Sequence, residues 1–170
     1  MSTPLGEHVA AIESVIADPR QGLPDEVFYL VTRLTPMTNV DLLIRNERRE
    51  TLLTWRDDGF YHGWHIPGGI VRYKERMADR VAEVARLELG ATVTNTPTPV
   101  AVNEVIHQDR TVRGHFIAFL FACELSGALD EARRHREGRP IHGQWAWHHG
   151  CPVDIIPSHE MYRRFLDETS

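Results

Sequence analysis

The sequence predicts an α/β layer architecture, with strands stacked against helices around one core, and three observations carry that prediction. Runs rich in β-branched and aromatic residues lie on both sides of one strongly patterned helix. The stretch GWHIPGGIVRYKERMADRVAEVARLELG has the form of a loop, a helix and a second loop. SHEMYRRFLDE then supplies a helix near the end of the chain. At 170 residues with 42% hydrophobic content, the chain can bury a full core. It reads as one domain over 1–170, with 1–24 an N-terminal helix and linker and 25–170 the main body with its C-terminal helix.

Taken in order, Glu7 to Ala17 places Val9, Ala10, Ile12, Val15 and Ile16 at helical spacing, which predicts a short amphipathic helix packed on the domain, and Pro19 to Pro24 breaks it. VFYLVTRL, VDLLIRN and ETLLTWR have the composition of strands. The polar turn from Asn46 to Arg49 joins the last two as a hairpin. A helix follows from about Arg76 to Leu89. PVAVNEVIH and VRGHFIAFLFACEL then form a second hairpin across Gln108 to Thr111. Gly127 to Pro140 is charged and carries Gly138, so it reads as a mobile loop with a helical turn at EARRHRE. QWAWH is a short strand, and Ser158 is the N-cap candidate of the terminal helix SHEMYRRFLDE.

Composition narrows the partners. The net charge is −5 and the 19 basic residues are scattered, so there is no basic stripe of the kind that follows a nucleic-acid backbone. No run approaches the ~18 apolar residues of a membrane span, and the first residues lack a basic start before an apolar core, which together predict a cytoplasmic protein with no membrane partner. Cys123 and Cys151 have no metal-type spacing and read as buried, reduced thiols.

The most informative residue is Glu88. At ~100° per residue, Met77, Val81 and Val84 form one apolar stripe and Glu88 falls in its middle, so a carboxylate is aimed at the core side of its helix. Such a group needs a partner. Pro67-Gly68-Gly69 upstream brings bare backbone towards it, and together they have the makings of a floor for a cation and phosphates.

Gly69, five residues, Glu75, and then Glu88-Leu89-Gly90 resemble the Nudix box, a loop-helix-loop that binds divalent metal and diphosphate. The match is incomplete: Glu83-Val84 and Leu87-Glu88 stand where the box has Arg-Glu and Glu-Glu. This reduced pattern is similar to the GDP-mannose mannosyl hydrolase branch. The similarity extends through Phe28, Arg33, Thr35-Pro36, Asp41, Leu52-Leu53 and Arg56, from about Phe28 to Trp147. The resemblance implies a Nudix-like α/β/α sandwich with a mixed sheet and Mg²⁺, or Mn²⁺ in its place, as cofactor. It implies water attack at the anomeric carbon of a nucleoside diphosphate sugar, releasing sugar and nucleoside diphosphate.

The implied roles follow residue by residue. Glu88 and the Gly68 carbonyl hold the metal, the substrate diphosphate completing its shell. Arg56 contacts phosphate and offsets charge on the leaving group. His142, in IHGQWAW, is the catalytic base, an imidazole able to take a proton near neutral pH. Asp41 either accepts hydrogen bonds from sugar hydroxyls or faces solvent on a half-exposed strand, and Phe28 either stacks on a base or belongs to the core. His107 and His115 are further candidates for substrate contact.

The departures have stated consequences. Glu83 lies on the solvated face with Arg76, Asp79, Arg80 and Arg86, where an ion pair with Arg80 or Arg86 is expected. Glu75 then looks to Arg72 or Lys74, or to the helix start. Ile141 replaces a metal-binding glutamine, with Gln144 a substitute only if the loop rearranges. Ile70 replaces an arginine whose place Arg72 can take. Two other readings keep the fold: a pyrophosphatase releasing nucleoside monophosphate and sugar 1-phosphate, and a nucleotide-sugar sensor without turnover. A homodimer built on the apolar strands and the N-terminal helix is compatible with all of them.

Overall fold

The computed structural model describes residues 3–167. In chain order the elements are α1 (Pro4–Ser14), α2 (Asp25–Leu34), β1 (Met37–Ile44), β2 (Thr51–Asp57), β3 (His62–His65), β4 (Gly68–Ile70), α3 (Met77–Val84), β5 (Val93–Asn95), β6 (Ala101–Ile106), β7 (His115–Leu125), β8 (Trp145–His148) and α4 (Arg163–Leu166). A π-turn over Ala85–Leu89 continues α3, and a 3-10 segment over Pro157–Tyr162 leads into α4. The α/β class and the mixed sheet are as expected.

β1 organises the larger sheet. It runs antiparallel to β4 and parallel to β7, with Met37 opposite Phe116 and Ile44 opposite Cys123. The other edge of β7 carries β6 and β5, both antiparallel, and the expected hairpin is present with Ala101 opposite Leu120 and Ile106 opposite His115. A separate antiparallel sheet has the order β3-β2-β8. Alternation divides β1 between two cores. Val40, Leu42 and Ile44 meet Val81, Val84 and Leu89 from the site helix, while Leu43 meets Leu53, Trp64, Tyr162 and Leu166.

Several expectations are corrected. The hairpin of β1 and β2 exists only at its base, where Asn46 N–H donates to the Glu50 carbonyl at 3.1 Å and Arg45 bridges Thr51. A strand has two edges, and β4 and β7 occupy both of those on β1, so β2 pairs elsewhere. VFYLVTRL is not a strand but the body of α2. Its β-favouring composition is overridden by Pro24 at the start, Asp25 and Glu26 in the first turn and Arg33 in the last, which suit the helix dipole. α1 begins earlier than expected, at Pro4, where the Thr3 hydroxyl accepts from Gly6 N–H at 3.1 Å, and it buries no residue; Leu5, Val9, Ile12 and Val15 are exposed. Periodicity marks an apolar face without saying what covers it.

At the C-terminal end, Pro157 opens the helical segment one residue before Ser158, so Ser158 is not its cap. Glu168, the last residue of the expected helix, lies outside the described residues. Both cysteines are free, Cys123 buried and Cys151 half-buried. Among the described residues no helix is long and apolar enough to cross a membrane.

A strap holds the C-terminal segment against β3: Trp64 N–H donates to the Asp154 carbonyl at 2.9 Å and Ile156 N–H to the Trp64 carbonyl at 2.8 Å. Gly63 permits this approach. Its φ is +148°, and a Cβ there would lie 2.3 Å from the Asp154 carbonyl oxygen. Gly63→Ala is expected to destabilise the fold by about 2 kcal/mol or more, read as a lower urea midpoint, and an unchanged midpoint would show that the strap does not depend on this contact.

Candidate active site

The site forms where the C-terminal turn of the site helix meets β1, β2 and β4. The π-turn carries Glu88, and Gly90 closes the helix in the left-handed region at φ +62°. Leu89 faces the core while the Glu88 side chain is 22% exposed and turned towards β2 and the start of β4. One Glu88 oxygen is 2.9 Å from the Thr54 hydroxyl. The other is 3.5 Å from Gly68 N–H and 4.0 Å from Arg56 Nη2. Burial raises the Glu88 pKa, with Arg56, Thr54 and Gly68 opposing the shift.

Behind Glu88 is His65, buried, with Nδ1 2.8 Å from the Ile66 carbonyl and Nε2 2.9 Å from the Thr54 hydroxyl. Thr54 has one proton for two neighbours. All the contacts are satisfied with Glu88 protonated and His65 neutral, or with a carboxylate and an imidazolium, and the two patterns contain the same number of protons. Burial, then the charge of Arg56, holds His65 well below its usual pKa, so both ends favour the neutral pattern. A cation at Glu88 would compete with a proton for the same carboxylate.

Asp41 is buried on β1, opposite Gly68. Tyr162 Oη donates to one of its oxygens at 2.5 Å and Asn39 Nδ2 to the other at 2.7 Å. A Cβ on Gly68 would fall 2.1 Å from Asp41 Oδ1, so only glycine fits there. Burial pushes the Asp41 pKa up to about 7, the nearby Glu88 charge adding to it and Tyr162, Arg56 and Asn39 opposing. The solvent-facing alternative for Asp41 is thus corrected. A carboxylate directly across from a second strand is covered by it.

Two cavities meet at this point. The larger, about 560 Å³, is lined by Phe28, Asp41, Arg56, Gly68, Arg72 and His159 among others. The smaller, about 240 Å³, is lined by Thr54, Glu88, Arg133 and His142. Arg56 and His65 line both. His142 accepts a hydrogen bond from Asp57 N–H on Nδ1 at 3.0 Å, so the proton of its neutral ring is on Nε2. Its loop is pinned to β2 through Gly143 N–H on the Trp55 carbonyl at 2.9 Å and Trp55 N–H on the Gln144 carbonyl at 2.7 Å.

Of the residues singled out in the sequence, Arg56, Glu88 and His142 come together in the small cavity, and Phe28, Asp41, Arg56 and Gly68 in the large one. His107 does not reach either. Its Nε2 stands 3.4 Å from the Tyr61 hydroxyl, and it is Tyr61 that lines the cavity. His115 pairs with Glu104 at 3.1 Å across the hairpin. Gln144 Oε1 accepts from Ile141 N–H at 3.1 Å, closing its own turn, and Ile141 is exposed. Glu83 pairs with Arg86 at 2.8 Å, as expected.

Arg80 is the main correction on the helix. It is 4% exposed, not solvated, and its Nε donates to Glu75 Oε2 at 2.8 Å, beside Arg72 N–H at 2.8 Å to the same oxygen. It braces the loop that the box arginine was expected to brace. Periodicity at 100° per residue missed it because the guanidinium reaches well away from its Cα direction. Thr54, His65 and His159 were also missed. His65 stands two residues before Pro67 of the glycine turn, and that adjacency is the signal from which it could have been read.

Glu88 and Asp41 both have raised pKa values, the Glu88 charge adds to the rise at Asp41, and Arg56 opposes both shifts. That imbalance fits a hard cation. Among the described residues no three His, Cys, Asp or Glu side chains form a cation cage, so Glu88 and the Gly68 carbonyl would hold only part of its shell.

Residues 35–150 match the NUDIX domain. The chain belongs to the Nudix family. No curated protein matches it. Solved Nudix structures with a similar fold include the MutT NUDIX hydrolase of Burkholderia pseudomallei, 20% identical, covering 78% of this chain and 98% of that one with a TM-score of 0.61. An ADP-ribose pyrophosphatase of Streptococcus suis is 17% identical, covering 78% and 87% with a TM-score of 0.54. A UDP-X diphosphatase is 15% identical, covering 97% of this chain and 78% of that one with a TM-score of 0.57. Nudix hydrolases generally use a divalent metal on small nucleotide substrates, and the loop-helix-loop described above lies within the matched residues.

Two predictions test this site. Arg80→Met removes the buried partner of Glu75 and is expected to cost roughly 3 kcal/mol in urea unfolding, with Arg80→Lys recovering only part; a midpoint equal to the parent's would remove Arg80 as the brace. For Asp41, the folded pKa is raised, so the folded state binds a proton that the unfolded chain releases between pH ~4 and ~7. Its contribution to stability is therefore present below that window and lost as pH rises through it, by on the order of 4 kcal/mol at most. Asp41→Asn should flatten the profile across that window, and an unaltered slope would contradict the assignment.

Proposed function

We propose that this Nudix protein hydrolyses nucleoside diphosphate sugars at the diphosphate, releasing a nucleoside monophosphate and a sugar 1-phosphate. The observation that carries this reading is the hydrogen bond that Asp57 N–H donates to His142 Nδ1. With Nδ1 engaged by Asp57 N–H, the ring offers an N–H to the small cavity, not a lone pair, so it is suited to donate to a phosphoryl oxygen beside Arg56. A base at that position would first have to give up the Asp57 contact. Arg56 lines both cavities and can bind phosphate across the junction. Phe28 and the large cavity accommodate the remainder of the nucleotide. A divalent cation, Mg²⁺ or Mn²⁺, held by Glu88 and the Gly68 carbonyl, would supply positive charge against the diphosphate and lower the pKa of water.

Attack at the anomeric carbon of a GDP-mannose-like substrate is the second reading. It is favoured by the box itself, since Val84 and Leu87 leave Glu88 as the carboxylate that the helix presents to the cavity. In that case His142 exchanges its Asp57 contact for the attacking water. The cytoplasmic location and any homodimer rest on the same proposal and are compatible with both readings.

Hydrolysis of GDP-mannose, GDP-glucose and UDP-glucose in ¹⁸O-labelled water separates the two. Label in a phosphate product is expected, and label at C1 of the sugar would sink the diphosphate reading. Glu88→Gln should lower kcat by two orders of magnitude or more and abolish the response to Mg²⁺. Because a cation would compete with a proton at a carboxyl of raised pKa, Mg²⁺ activation of the parent should strengthen as pH increases.

A further inference from the structure

The match to the family ends at residue 150, yet Ile156, Ser158, His159 and Met161 line the large cavity. This segment is fixed at several points: by the strap on Trp64, by Tyr162 Oη on Asp41 at 2.5 Å, and by Ile66 N–H, which donates to His159 Nδ1 at 3.1 Å. His159 is 8% exposed and is flanked by the rings of His65 at 5.8 Å and Tyr162 at 5.2 Å. Because Nδ1 accepts from the backbone, the one proton of the neutral ring is on Nε2. Nε2 makes no hydrogen bond to any described residue. An N–H donor on a cavity wall with no protein partner is satisfied only by what fills the cavity.

We propose that His159 Nε2–H donates to a phosphoryl oxygen of the bound substrate, a substrate-binding contact supplied by the segment that follows the family domain. The inference rests on the diphosphate reading above. Arg56 lines the same cavity, and its guanidinium draws an anionic oxygen to this region in preference to a sugar hydroxyl. Burial, with Arg56 adding to it, holds the ring pKa near 3, so the donor stays neutral across the working range and gives a contact independent of pH.

Two substitutions separate binding from folding. In His159→Asn the amide oxygen replaces Nδ1 and keeps the Ile66 bond, but nothing stands in for Nε2. In His159→Gln the amide nitrogen reaches the Nε2 position while the Ile66 bond is lost. Calorimetric titration with inorganic pyrophosphate and Mg²⁺, alongside urea unfolding, should show a Kd raised roughly tenfold in His159→Asn with a near-parental midpoint. His159→Gln should bind within about threefold of the parent and unfold earlier. Parental affinity in His159→Asn, loss of affinity that tracks stability in both variants, or a parent that does not bind pyrophosphate each overturn the contact. Turnover of nucleotide sugars is measured in parallel. A parent that binds pyrophosphate through His159 but hydrolyses none of them removes the hydrolase reading and leaves the contact standing. An active parent whose His159→Asn variant binds normally removes the contact alone.

Discussion

The close approach of Gly68 to Asp41 is the constraint on which the site depends. The antiparallel register of β4 on β1 puts the two residues opposite each other, and a Cβ at Gly68 would be 2.1 Å from the Asp41 carboxylate. That contact brings the Gly68 backbone over a buried acid and within reach of Glu88 from the site helix. It also links the two ends of the fold, since the same Asp41 accepts the hydroxyl of Tyr162 from the C-terminal segment. Loss of the glycine would therefore part β4 from β1, displace the loop before the helix and loosen the wall that carries His159.

The electrostatics follow from how this junction is covered. Two acids of raised pKa share the opposing influence of one arginine, and two histidines nearby are buried and held below their usual pKa. Burial is the largest cause of the shift at each of these groups. Such an arrangement is costly to keep in a protein interior unless a cation and phosphate occupy it. The brace around it has been rebuilt from within the same helix. Glu83 cannot pair with Glu75, but Arg80 begins about one turn earlier and its long side chain reaches the same carboxylate. The box thus loses an arginine at its usual place without losing the ion pair that shapes its loop.

A good part of this was legible in the sequence. Glu88 was recognisable because a carboxylate in an apolar stripe violates the helical pattern, and the Gly-Gly turn before it marked close backbone approach. The hairpin of β6 and β7 was recognisable from two apolar runs around a polar turn. Local signals of this kind reach only a few residues. Pairing of β1 with β7 joins residues some eighty positions apart, and no pattern in either strand states which edge the other will occupy. α2 was misread because its composition favours strand while its ends favour helix.

By itself, then, the sequence determined the class of fold and the helix that bears Glu88, and its resemblance to the family singled out Arg56, Glu88 and His142, which line one cavity. Those follow from periodicity, from glycine geometry and from matched motifs, all of which are local. Tertiary structure alone decided which proton each histidine carries, that His107 stops short of the cavity, that Arg80 turns inward, and that a C-terminal turn places His159 on the cavity wall. Each of these depends on a neighbour distant in the chain: Asp57 for His142, Tyr61 for His107, Ile66 for His159. A side chain's role is set by the polar groups that fold against it, and only the packed chain brings them together.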